Sequence, residues 1–145
     1  MAGYDSTKGL VSVQKANTTT WVKIPLDYMK VEEYKITPDQ MLDLDSYRNE
    51  QGVLLRNCLD HKVTKIEFTT PPIYNTALNA LLKIISDGYT NTKSHRLKIR
   101  YYDMYTDDYK EGTVYCPDID FNINHVDEAK KIILYNPVRI AFIEY

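Results

Sequence analysis

The sequence of 145 residues has little cysteine, little glycine and no long apolar run. Two cysteines, Cys58 and Cys116, are too few for the disulfide framework of a small secreted domain. Both sit in apolar, alternating surroundings and are expected to be buried free thiols. Five scattered glycines form neither a dinucleotide fingerprint nor a P-loop, and no Gly-x-Ser-x-Gly elbow occurs. No apolar run approaches the roughly 20 residues of a membrane-spanning helix. The N-terminus "MAGYDSTKGLVSVQKANTTT" is too polar for a signal peptide. The three histidines, His61, His95 and His125, stand singly, so neither a metal nor another cofactor is expected. The formal net charge of −2 argues against a surface devoted to nucleic acid but leaves room for a local basic patch.

Tyrosine is plentiful: 13 residues, against three phenylalanines and one tryptophan. It suits half-buried strand faces and is enriched where proteins meet. Length and composition fit one domain made and kept in the cytoplasm until assembly or lysis. Residues 1–20, polar but for a short beat at Leu10, Val11 and Val13, read as an N-terminal arm. Residues 21–145 read as a single domain. "YMKVEEYKITP" alternates as an exposed strand ending at Pro38. In "VLLRNCLDHKVTKIEFTTPP", Thr64, Ile66 and Phe68 alternate with Val63, Lys65 and Glu67, giving two strands or one bent strand. "YNTALNALLKIISDG" spaces apolar residues by three and four. It predicts a helix over about 75–87, capped by Asn75 or Thr76 and closed by a left-handed Gly88.

"HRLKIRYYDM" places Leu97, Ile99 and Tyr101 inward and Lys98, Arg100 and Tyr102 outward. With "TVYCPDIDFNI" it predicts a hairpin. A link at "NHVDEAK" leads to a last strand broken by Pro137. Strands, one helix, then strands again predict a mainly β, α+β fold. The expected architecture is an antiparallel sandwich or partly closed barrel flanked by the helix.

Chemistry-bearing clusters are sparse. Asp43 and Asp45 lie before the turn of "SYRNEQG", and Asp103, Asp107, Asp108 and Glu111 read as a solvated turn. Asp118, Asp120 and Asn122 read as the wet face of a strand. Cys58 and His61 are three residues apart and would point to opposite faces of a strand, which excludes a nucleophile–base pair on a straight one. Lys98, Arg100, Tyr101 and Tyr102 form the aromatic-and-basic pattern of a single-stranded nucleic-acid-binding barrel. No base, nucleophile and orienting group converge, so an enzyme is not expected. "SYRNEQG" has the residues of a turn leading into an apolar strand. An exposed charged loop on a rigid β scaffold is also a docking element.

"SYRNEQGVLLRN", "KIEFTTPP", "TALNALLKIIS", "LKIRYYD", "EGTVYCPDIDF" and "PVRIAFIEY", in that order, resemble small tail-module structural proteins of long-tailed, siphovirus-like bacteriophages and prophages. The resemblance covers roughly residues 24–145. It implies a virion component of the tail tube, distal-tail or tail-terminator type. Such proteins stack as rings, commonly hexameric, and let DNA pass through a channel at most transiently. Partners would be further copies of the chain and neighbouring tail proteins. The arm and the 43–57 loop would then lie between subunits. Trp21, Arg48, Asn49, Glu50 and Arg56 are the expected contact residues.

Overall fold

The computed structural model describes residues 3–41, 46–56 and 63–145. Cys58, Asp60 and His61, and the carboxylates Asp43 and Asp45, lie outside the described residues.

The chain begins with β1 (Val11–Gln14) and β2 (Trp21–Lys23), then a 3-10 turn at Leu26–Tyr28 and the long β3 (Lys30–Gln40). Two short strands follow, β4 (Tyr47–Arg48) and β5 (Leu54–Leu55), then β6 (Val63–Thr69) and β7 (Ile73–Tyr74). After helix α1 (Asn75–Ser86) come β8 (Arg96–Asp103), β9 (Asp108–Tyr115), β10 (Ile123–Asp127), β11 (Ile132–Tyr135) and β12 (Arg139–Glu144). Seven strands form one sheet in the order β2-β1-β8-β9-β12-β6-β3. A second sheet is β10-β11-β7, and among the described residues β4 and β5 pair only with each other. Every pairing among the described residues is antiparallel. The fold is α+β, and the large sheet does not close into a barrel.

Period-two patterning decides which face each strand buries. Thr64, Ile66 and Phe68 on β6 face the core, as do Leu97, Ile99 and Tyr101 on β8, and Val138, Ile140 and Phe142 at β12. β12 meets β9 through only two residue pairs, Ile143 with Tyr115 and Glu144 with Val114. The sheet curves back on itself there: the Tyr34 hydroxyl, on β3 at one edge, donates to the Tyr102 carbonyl on β8 at 2.8 Å. Burial pushes the Tyr34 hydroxyl pKa well above its ordinary value.

Several elements differ from the sequence reading. Val11–Gln14, inside the stretch read as an arm, is the second strand of the large sheet, with Val11 and Val13 in the core. β3 continues past Pro38 to Gln40. It is an edge strand, and a missing N–H can face away from the ladder. The 116–122 stretch is not a strand, because the chain leaves the sheet at Pro117; Asp118, Asp120 and Asn122 therefore share no strand face. "NHVDEAK" is not a link: it supplies most of β10 and the turn into β11. Pro137 divides the predicted last strand between two sheets.

The helix buries Leu78, Leu81 and Ile85, one face of the predicted stripe. Its first turn has no side-chain cap; the Asn75 carboxamide oxygen instead accepts the Ile133 amide at 3.4 Å. Gly88 is not left-handed. A Cβ there would lie 2.3 Å from Val13 Cγ1, so glycine lets the helix end close onto β1.

Candidate subunit-contact surfaces

Two surfaces gather the residues that the sequence singles out. The first is the β4–β5 hairpin. The Asn49 carboxamide oxygen accepts the Gln51 and Val53 amides, both at 3.0 Å. The Asn49 carbonyl accepts the Gly52 amide at 2.9 Å, and the Arg48 guanidinium donates to the Gly52 carbonyl at 2.9 Å. Gly52 has φ 82°, a conformation that costs other residues energy. Two of the predicted contact residues, Arg48 and Asn49, thus hold the turn in shape. Glu50 is exposed at the turn, and Arg56 is exposed just after β5.

The apolar side chains of the same hairpin face water. Tyr47 is 60% exposed, Val53 54% and Leu54 45%, with Leu55 close behind. The sequence reading took Val53–Leu55 as the start of an apolar strand and did not name them as contacts. Tyr47, Val53 and Leu55 share one face of the ribbon, and Leu54 stands on the other beside Arg48. A two-stranded hairpin is marginal in water, and an exposed apolar face of this kind marks a place of contact.

The second surface is the outward face of β8 and β9. Lys98 pairs with Glu111 at 3.7 Å. The Arg100 guanidinium lies 4.8 Å from the centre of the Trp21 ring, so Trp21 is half-buried beneath it. Tyr102 hydrogen-bonds Asp107 and stands edge-on to Tyr109, ring centres 5.5 Å apart. The bond to Asp107 raises the Tyr102 pKa, because it favours the protonated hydroxyl. Tyr101 is buried in the core and out of reach of a stacked base. The other three candidate nucleic-acid contacts are engaged within the chain.

The N-terminal segment lies across this face. Tyr4 packs edge-on against Tyr102 at 6.3 Å. The Tyr109 hydroxyl donates to the Gly9 carbonyl at 2.6 Å and accepts the Asp5 amide at 3.1 Å. Tyr109→Phe should therefore cost about 1 kcal/mol and raise amide exchange over residues 3–9, with β8 unchanged. Equal exchange in both proteins would show that the tyrosine does not hold the segment.

The acidic group of the β8–β9 hairpin is not wholly solvated. Asp103 is fully buried and pairs with Lys110 at 2.9 Å. Cys116 is a buried free thiol, as expected, and burial pushes its pKa up to about 11. Among the described residues, no group of three or more His, Cys, Asp or Glu is placed to hold a metal ion. No described helix is long and apolar enough to cross a membrane.

The model of a family described as of unknown function, DUF6711, matches residues 13–145. The chain belongs to this family. The DUF6711 match begins inside β1, so it takes in the hairpin, the helix and nearly all of both larger sheets. No curated protein matches the chain. Among solved structures, the tail of an empty gene transfer agent (GTA) particle, refined with helical C6 symmetry, is similar. The likeness covers 99% of this chain and 95% of that one, with a TM-score of 0.52 and 11% identity. At that identity the two share a fold, and function has to be argued from the surfaces. This member of DUF6711 thus has the fold of a chain from a phage-like particle tail.

Proposed function

We propose that the chain is a structural protein of a phage-like tail, of the siphovirus type, which assembles with copies of itself into a ring or tube near the tail tube or its baseplate end. Its place would be the virion, after synthesis in the host cytoplasm. The observation that carries the reading is the likeness of almost the whole chain to one chain of a C6-symmetric tail. The exposed apolar hairpin supports it, because it provides a contact surface that the monomer leaves in water. The mechanism is geometric. A curved β core with a packed helix fixes the subunit's shape, and contacts between unlike surfaces propagate by rotation until a ring closes. Polar strand faces toward a channel would let DNA pass without holding it.

Light scattering over a concentration range, at low and high salt, tests the reading. The expected result is a ring-sized or growing species, whose symmetry electron micrographs would give. A monomer at every concentration would count against self-assembly.

A further inference from the structure

An apolar groove of about 310 Å³ lies where β1, β2, the 3-10 turn and α1 meet. Val13, Val22, Pro25, Tyr28, Ala80 and Ile84 line it. Lys15, Lys83 and Asp87 stand at its margin, where Lys83 and Asp87 pair with each other at 3.1 Å. Lys15 is exposed and makes no ion pair among the described residues.

Groove and hairpin are joined by β3. Tyr28, in the groove wall, comes just before Lys30 at one end of the strand. In sequence the hairpin falls between Gln40 and Val63, which are register partners at the other end of the strand. β3 has 11 residues, roughly 35 Å of extended chain. An apolar recess thus lies at the start of the longest strand, and a hairpin with an apolar face follows its end in the chain. The hairpin carries Glu50 at its turn, and Lys15 lines the recess. Surfaces that match in polarity and charge but lie at different places on one molecule make head-to-tail contacts, which close into rings or run on as filaments.

We propose that the face of the hairpin formed by Tyr47, Val53 and Leu55 in one copy seats in this groove of the next copy, with Glu50 against Lys15. The proposal rests on the self-assembly reading and names the two surfaces that would carry it.

Two variants test it. Tyr47→Arg with Leu55→Arg spoils the apolar face of the hairpin, and Ala80→Trp fills the recess. All three positions are exposed, so far-UV circular dichroism and melting should stay as in the unaltered protein. Each variant alone should be monomeric by light scattering. An equimolar mixture should give a dimer of one copy of each and nothing larger, because each supplies the half that the other lacks.

A charge exchange tests the same contact without touching an apolar side chain. Lys15→Glu or Glu50→Lys alone should weaken association by roughly tenfold, and both together in one chain should restore it. If Ala80→Trp assembles normally, the groove is not the recipient, although self-assembly stands. Two monomeric variants that fail to pair on mixing also overturn the proposal. If the unaltered protein is monomeric at every concentration, the self-assembly reading falls and the proposal with it.

Discussion

Phe68→Ala should remove about 3–5 kcal/mol of stability, a large part of the roughly 5–15 kcal/mol that holds a domain folded. Phe68 is fully buried on β6. It lies opposite Ile140 of β12, and its ring stands 6.5 Å from that of Phe142, tilted by 42°. Alanine would leave a cavity between two strands that are both inside the sheet, where neighbours relax least. The check is urea unfolding: the midpoint should fall while the dependence on denaturant stays the same. Phe121→Ala is the control. Phe121 is 45% exposed, and its loss should stay within about 0.5 kcal/mol. Equal midpoints for the two variants would contradict the packing described here.

The second large effect concerns Asp103, which is 0% exposed. Its carboxylate accepts the Tyr105 amide at 2.9 Å and the Thr106 hydroxyl at 3.2 Å, and it pairs with Lys110. Burial alone would raise its pKa. The hydrogen bond and charge of Lys110, with the Tyr105 amide, outweigh burial and hold it below the ordinary 3.8. Asp103→Asn should cost about 2 kcal/mol at neutral pH. The value is set low in the usual range for bonds to charged groups, since the Lys110 ammonium is partly in water and regains solvent. The sign with pH follows from the downward shift. The contribution is complete above the unfolded value and is lost as pH falls through the lower, folded one. The gap between the two proteins should therefore be constant from pH 7 to about 5 and narrow toward pH 2. A gap that widened in acid would mean that Asp103 is buried as the neutral acid.

The sequence made the core-facing residues of β6, β8 and β12 legible, because alternation of period two is local and survives any arrangement of strands. The helix was legible for the same reason at its own period. It also separated Tyr101 from Tyr102, which differ only in the face they occupy. What it could not show depends on neighbours distant along the chain. Gly88 reads as a helix-ending glycine, and its need for a missing side chain comes from Val13, on a strand 75 positions earlier. Asp103 reads as a turn residue, yet the β8–β9 register sets Lys110 beside it. The hairpin was found as a turn, and its polar residues were read as contacts. Val53, Leu54 and Leu55 look like any buried strand, and only the absence of a covering element, among the described residues, shows them exposed.

The place of β12 in the sheet has a consequence for how the molecule is made. Residues 139–144 lie between β6 and β9, and β8 receives β1, about 90 positions away in sequence. A chain emerging from the ribosome holds β6 and β9 with open edges until residue 144 has cleared the exit tunnel. Such distant pairings form slowly, and open strand edges on a waiting chain favour association with other chains. Synthesis of this protein is thus a period in which β6, with its buried Ile66 and Phe68, has an unpaired edge, and a chaperone that shields it would act before the sheet has its middle.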